Sequence, residues 1–335
     1  MNRLVILAPN WLGDAVMALP AIADVRRQAP QAHVTVAARP SVAPLFRFAR
    51  SIDDVVVLDR RASIGRVSSW RHLGVELAGC GFDTALVLPN SVHAALVASR
   101  AGIPERWGYR TSFRSPLLTR AIHPPSGLHQ AEYYQQLVHA LGFTNGPIEP
   151  ALSVPDEVCA AAADTLAAAG WDRRTPLAAV APGAAYGGAK RWPPESFGQL
   201  IDALAEDEVQ SVLVGSEADL RTGAEVIARV TRRSAVLNLI GRTDLAALAG
   251  VLSRCRALVT NDSGAMHLAA AVGVSVTAVF GPTDERATRP LGDSHRVITH
   301  DVWCRPCLLR ECPLDHRCMR GILPGAVHEA ARRTL

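Results

Sequence analysis

The sequence is almost without lysine: all but one of its 35 basic residues are arginine, and the exception is Lys190. It also lacks a long apolar run. No stretch approaches the roughly 20 residues that a helix needs to span a bilayer, so no membrane-spanning helix is expected. Nor is there a block of charge of one sign. The net charge is +4, and the charged residues, 20% of the total, are interspersed. That excludes extensive disorder and lacks the basic stripe of a nucleic-acid binder, so no nucleic-acid partner is expected. No G-x-G-x-x-G occurs, which counts against a dinucleotide-dependent dehydrogenase. No secretory leader is expected at the N-terminus, because the apolar run 4–8 is too short and the polar Asn10 and Asp14 interrupt its continuation. A cytoplasmic protein is expected, with its seven cysteines reduced.

The residues that are present suit a large folded chain. Hydrophobic residues make up 49% of 335 residues, enough for two domains with cores of their own. Short runs rich in Val, Leu and Ile alternate with amphipathic stretches. "RLVILA" (3–8), "HVTVAA" (33–38), "DVVVLD" (54–59) and "DTALVLP" (83–89) predict buried strands, and 14–28 and 67–78 predict helices. The rhythm fades after about residue 105 into a loop-like segment carrying Arg106, Arg110, Arg114 and Arg120, followed by a helix over 128–141. A Gly- and Pro-rich stretch marks a boundary. The rhythm then restarts with strands at 177–182, 210–215, 235–241, 257–260 and 276–281. This predicts an α/β chain of two doubly wound domains, 1–152 and 153–335, facing each other across a cleft. Ligands of such sheets bind beyond the carboxyl ends of the strands, so the loops there carry the function.

Four of those loops stand out. After the first strand, "APNWLGDAVMALP" places Gly13 and Asp14 at a helix start, where Asp14 serves either as a first-turn acid or as a base facing the cleft. After 177–182, "GAAYGGAKRWPPESF" combines small residues with Lys190 and Arg191. A Gly/Ala-rich loop lets backbone amides approach a phosphate, and an ammonium on a long stem reaches it as a point charge. A solvated loop lysine is the plain alternative, but a chain that uses arginine everywhere else gives no reason to keep lysine at a solvated position. Glu217 follows 210–215, suited to a helix dipole or to a ribose diol. After 257–260 comes "NDSGAMHLAAA": Asp262, Ser263 and Gly264 precede an apolar helix bearing His267, a cap or an anion site.

"PNWLGDAVMALPA", "AKRWPPESF", "NDSGAMHLAAA" and "VFGPT" resemble the ADP-heptose:lipopolysaccharide heptosyltransferases, glycosyltransferase family 9, over residues 3 to about 322. The N-terminal motif and the Cys-rich tail are most similar to the type II branch. The resemblance implies a GT-B fold, with an acceptor-side first domain and a nucleotide-sugar-binding second domain. It implies inverting transfer of L-glycero-D-manno-heptose from ADP-heptose to the lipopolysaccharide inner core, with no metal required for the chemistry and with peripheral contact at the inner membrane surface. Carried onto this sequence, Asp14 is the general base and Lys190 neutralises the departing diphosphate. Ser263 and Gly264 hold phosphate, Asp262 bonds heptose hydroxyls and Glu217 the adenosine ribose. Gly13, Arg191 and His267 complete the substrate-binding set. The alternatives are another nucleotide-sugar enzyme of the same fold, a different transferase or an epimerase, and a non-catalytic nucleotide-sugar binder.

The tail "WCRPCLLRECPLDHRCM" holds Cys304, Cys307, Cys312 and Cys318 with His316 among them. Three readings stay open: a structural zinc site, a disulfide, or reduced thiols packed in a loop. A metal there is expected to act on folding or on the acceptor side, away from the nucleotide.

Overall fold

The apolar runs form parallel strands because both of their faces are covered. β1 (Arg3–Leu7) is buried at four of its five positions, and β7 (Leu177–Ala181) and β10 (Ala257–Asn261) are buried throughout. The computed structural model describes residues 1–59 and 66–335. It divides into two compact units, Met1–Ser153 and Val154–Leu335.

Unit one also carries β2 (His33–Ala38), β3 (Asp54–Val57), β4 (Thr84–Val87), β5 (Glu105–Tyr109) and β6 (Arg120–Ile122), in the order β3-β2-β1-β4-β5-β6. Unit two adds β8 (Gln210–Leu213), β9 (Val236–Asn238), β11 (Ser275–Phe280) and β12 (Arg296–Thr299), in the order β12-β11-β10-β7-β8-β9. Counted from its own first strand, each unit follows 3-2-1-4-5-6, the order of the Rossmann sheet. The order reverses between β1 and β4 and again between β7 and β10. A crevice opens at such a point beyond the carboxyl ends. Asp14 follows β1, Lys190 follows β7 and Asp262 follows β10, so each stands beside a reversal.

Three strands depart from the sequence pattern. β5 and β6 lie in the segment that reads as a loop, and β12 follows a segment with no strand signal. β5 is Glu-Arg-Trp-Gly-Tyr and β6 is Arg-Ala-Ile, so neither is an aliphatic run. They close one side of the sheet, where one face stays wet, and the Arg120 guanidinium lies 5.2 Å from the Trp107 ring centre across the pair. The expected helix 14–28 is two helices, Leu12–Met17 and Leu19–Gln28. Pro20 has no N–H to give the carbonyl four residues back, so the first helix ends there. Asp14 is left in the first turn of a short helix.

Each unit has its own core. Leu7, Leu77, Phe82 and Val87 belong to that of unit one, and Trp192, Phe197, Val259 and Met319 to that of unit two. Cys318 and Ile322 join Met319, so the end of the Cys-rich tail is part of the second core. Among the described residues no helix is long and apolar enough to cross a membrane.

Candidate active site

In unit one, Asp14 is half-buried. The helix Gln130–Ala140 brings the buried Tyr134 near it. Burial, and then the Asp14 carboxylate, push the Tyr134 phenol above its ordinary pKa, so the phenol stays protonated beside the acid. A cavity of about 410 Å³ opens at this end of the sheet, lined by apolar Leu7, Ala37 and Leu58 and by polar Asn10, Arg39, Ser91 and His93. Ser91 caps the helix Val92–Arg100 through the Ala94 amide.

The four loop arginines do not form one basic surface. Arg114 is wholly buried. Its guanidinium donates to the carbonyls of Pro89 and of Tyr109, the latter at 2.8 Å, and to Asn90 Oδ1 at 3.4 Å. Burial lowers its pKa to about 10. Arg106 donates to the carbonyls of Ile103, Pro104 and Leu117. Both are struts for main chain at strand ends rather than surface charges directed at a ligand. Arg110 is exposed and lies 3.1 Å from His123 Nε2. Arg114→Ala is expected to destabilise unit one by about 2–4 kcal/mol in denaturant unfolding, because carbonyls that it satisfies would be left buried without donors.

In unit two, Lys190 is paired. Its Nζ lies 2.5 Å from Asp262 Oδ2, with the two side chains only 13% and 7% exposed. Thr283 Oγ donates to the same carboxylate oxygen at 2.7 Å. The Tyr186 ring centre lies 4.7 Å from the ammonium. A residue that sequence reasoning missed, Asn261, holds this arrangement. Its buried amide donates to the Pro182 carbonyl at 2.8 Å and accepts from the Trp192 N–H at 2.9 Å. Asn261 thus clips both ends of the lysine loop to the strand that leads into Asp262. No local pattern could have shown this, since the partners are about 70 to 80 residues away in sequence.

The helix Gly264–Ala271 starts without a side-chain cap. Ser263, in the capping position, instead pairs with Thr260 Oγ1 at 3.1 Å. The Ser263 side chain therefore takes none of the first-turn amides, although its carbonyl accepts from the Met266 N–H at 3.2 Å.

Comparison with known proteins decides the family. A model of glycosyltransferase family 9 (heptosyltransferase) matches residues 70–317. The chain belongs to glycosyltransferase family 9. It is 30% identical over 308 residues to lipopolysaccharide heptosyltransferase 2 of Escherichia coli K12, covering 88% of this chain and 87% of that one. It is 29% identical to lipooligosaccharide heptosyltransferase 2 of Haemophilus influenzae, covering 88% of each. The solved structure of E. coli ADP-heptose LPS heptosyltransferase II matches with a TM-score of 0.85 at 29% identity, over 100% of this chain and 98% of that one. The fold is therefore GT-B, and this glycosyltransferase is an enzyme of the heptosyltransferase family.

The remaining sequence-derived residues of this family 9 enzyme spread over several places. Gly13 precedes Asp14 on the same helix. His267 is buried on the helix Gly264–Ala271. Glu217 is exposed after β8, whereas Asp219, two residues on, turns inward. Asp219 accepts from Ser216, and its carboxylate fills the space where a side chain on Gly183 would sit. Arg191 leaves Lys190 and lines a separate cavity with Trp192, Thr222 and Arg320.

The cysteines of the tail are free thiols. Cys318 is buried, and burial, followed by the neighbouring Cys304, raises its pKa. Among the described residues no three His, Cys, Asp or Glu side chains are gathered to hold a metal ion. The four thiols are near one another without forming a ready ligand set, so no step of the chemistry is derived through a metal there.

The tail touches the lysine loop. The Tyr186 hydroxyl donates to the Leu308 carbonyl at 2.9 Å, the Ala189 N–H to the Arg310 carbonyl at 2.9 Å and the Gly188 N–H to Glu311 Oε1 at 3.0 Å. A Cβ on Gly187 would collide with the Arg310 carbonyl, and one on Gly188 would stand 2.6 Å from Glu311 Oε2. The paired glycines thus admit the tail, and two of the loop amides expected to be phosphate ligands are engaged by it.

Proposed function

We propose that this enzyme transfers heptose from ADP-heptose to a sugar of the lipopolysaccharide inner core, with inversion at the anomeric carbon. The observation that carries the reading is the Lys190–Asp262 pair beside an uncapped helix start at the chain reversal of unit two. An ammonium and a helix start without a side-chain cap suit a diphosphate there. An ammonium has three N–H donors. One can stay on Asp262 while the others reach the phosphate, so Asp262 aims Lys190 as well as offering its second oxygen to heptose hydroxyls.

In the proposed reaction Asp14 accepts the proton of the acceptor hydroxyl. The hydroxyl oxygen bonds to the anomeric carbon from the face opposite the diphosphate. The bond from that carbon to the diphosphate oxygen breaks, and its electron pair leaves on ADP. Positive charge develops on the sugar and negative charge on the leaving group, and Lys190 with the first-turn amides stabilises the latter. The acceptor is assigned to the cavity of unit one, where Arg39 and His93 suit an anionic sugar and the apolar wall suits a sugar face. The reading draws on no metal.

The same reading sets the enzyme in the cytoplasm, in peripheral contact with the inner face of the cytoplasmic membrane. Trp11 and the fully exposed Phe113 offer apolar contact on loops after β1 and β5. For the tail, reduced thiols packed against unit two are favoured over zinc, given that no ligand set is gathered among the described residues. Elemental analysis of protein prepared without chelator is expected to find no stoichiometric zinc, and one zinc per chain would return the cluster to the metal reading.

Incubation with ADP-heptose and heptose-deficient lipopolysaccharide tests the function. The expected result is acceptor-dependent release of ADP and a heptose added to the acceptor. Binding of ADP-heptose without release would make the protein a binder and sink the proposal.

A further inference from the structure

The proposed reaction uses no residue of the Cys-rich segment, yet that segment is tied at several points. At one end, Arg305 Nε donates to the Gly281 carbonyl at 2.8 Å and the Leu308 N–H to the Pro282 carbonyl at 2.9 Å. Gly281 and Pro282 follow β11 and lead directly into the Thr283 that bonds Asp262. In the middle, Leu308, Arg310 and Glu311 hold the loop after β7. At the other end, Cys318 and Met319 enter the core, where Met319 occupies the space that a side chain on Gly281 would need. In the sheet β11, β10 and β7 are neighbours. The segment therefore crosses the carboxyl ends of three adjacent strands, and the Lys190–Asp262 pair belongs to two of them.

We infer that residues 304–319 are a strap that positions the lysine loop for the donor diphosphate, with Glu311 as its positioning residue. The inference rests on the reading of Lys190 as a ligand of that diphosphate. The physical argument is one of preorganisation. A Gly/Ala-rich loop has many accessible conformations, and a flexible loop must be ordered before its lysine can meet a phosphate. Glu311 and the Arg310 carbonyl take the Gly188 and Ala189 N–H groups and hold the loop ordered before the donor arrives. The Tyr186 ring adds to this, lying 5.1 Å from the Arg310 guanidinium and 4.7 Å from the Lys190 ammonium. Binding couplings are reciprocal. If the strap favours the donor-ready loop, ADP bound to that loop must in turn hold the strap down.

The test uses the full chain, kept reduced, with ADP as the probe in calorimetry. Glu311→Ala and Gly187→Ala are each expected to weaken ADP binding about tenfold, the effect of losing one hydrogen bond to a charged or closely held acceptor. Glu311→Gln keeps an oxygen acceptor and is expected to bind ADP nearly as the wild type does. Glu311 is exposed, so its variants are expected to fold. A second readout follows the strap itself. ADP is expected to slow labelling of Cys307 and Cys312 by an aromatic disulfide reagent in the wild type and to lose that effect in Gly187→Ala. Lys190→Ala is run in parallel. If it leaves ADP affinity unchanged, the donor-site reading fails and the strap's role falls with it. If Lys190→Ala loses affinity while Glu311→Ala and Gly187→Ala keep it, the strap alone is overturned. Labelling indifferent to ADP in the wild type overturns it as well.

Discussion

Asp14→Asn is expected to fold, to bind ADP-heptose as the wild type does, and to lose about two to four decades of kcat, the usual effect of removing a general base. The substitution keeps the size and hydrogen-bonding reach of the side chain and removes its basicity. The proposed donor determinants, Lys190, Asp262 and the first-turn amides, lie in unit two. KM for ADP-heptose should therefore stay within about twofold while kcat falls, the pattern of a group acting in the transition state rather than in binding. Tyr134 is a useful control. It is buried near Asp14, and Tyr134→Phe retains the ring while removing the phenol. If Asp14 itself takes the proton, Tyr134→Phe should cost far less rate than Asp14→Asn. A wild-type kcat in Asp14→Asn would remove Asp14 from the chemistry.

Lys190→Ala is expected to weaken ADP binding and turnover together and also to lower stability. The second effect comes from the pairing. Without the ammonium, the Asp262 carboxylate is left almost fully buried, with the Thr283 hydroxyl still donating to it but its ion-pair partner gone. Breaking a buried pair from one side costs about 3–5 kcal/mol, because an uncompensated charge remains. The double variant Lys190→Ala with Asp262→Asn removes that charge. It should recover most of the lost stability and none of the ADP affinity, which separates the structural share of the pair from its share in binding. Lys190→Arg tests why lysine was kept at this position. A guanidinium is broader and planar, whereas the Lys190 ammonium meets Asp262 and the Tyr186 ring as a compact point charge. Arginine is expected to restore neither ADP affinity nor kcat fully. Full restoration would make the single lysine an accident of composition.

The parts of this protein legible in its sequence are those encoded by neighbours along the chain. Runs such as 33–38 and 210–215 announce buried parallel strands by composition alone, because a strand covered on both faces must be apolar at nearly every position. The restart of the rhythm near residue 177 announces a second sheet. The loops of interest come from the fold rule that ligands gather at carboxyl ends, which is why Asp14, Lys190 and Asp262 can be singled out from the sequence. The strands β5, β6 and β12 are not legible. They lie toward the sides of their sheets, where half-exposed Arg, Trp and Thr replace the aliphatic pattern. The break at Pro20 is readable in principle, but the amphipathic period runs through it.

The sequence by itself determined two doubly wound halves, the strand-end loops to examine, and one lysine among 35 basic residues. Only the tertiary structure decided what those residues do to each other. It paired Lys190 with Asp262, made Arg106 and Arg114 struts, set Asn261 across the two ends of the lysine loop, and laid the Cys-rich tail over the glycines at 187 and 188. The physical reason is the range of the forces involved. Hydrophobic period and backbone preference act over a few residues and leave their mark on the local sequence. A buried ion pair or a carbonyl satisfied from far along the chain depends on which loops the folded sheets bring together, and Lys190 and Asp262 stand 72 residues apart with nothing in either segment to name the other.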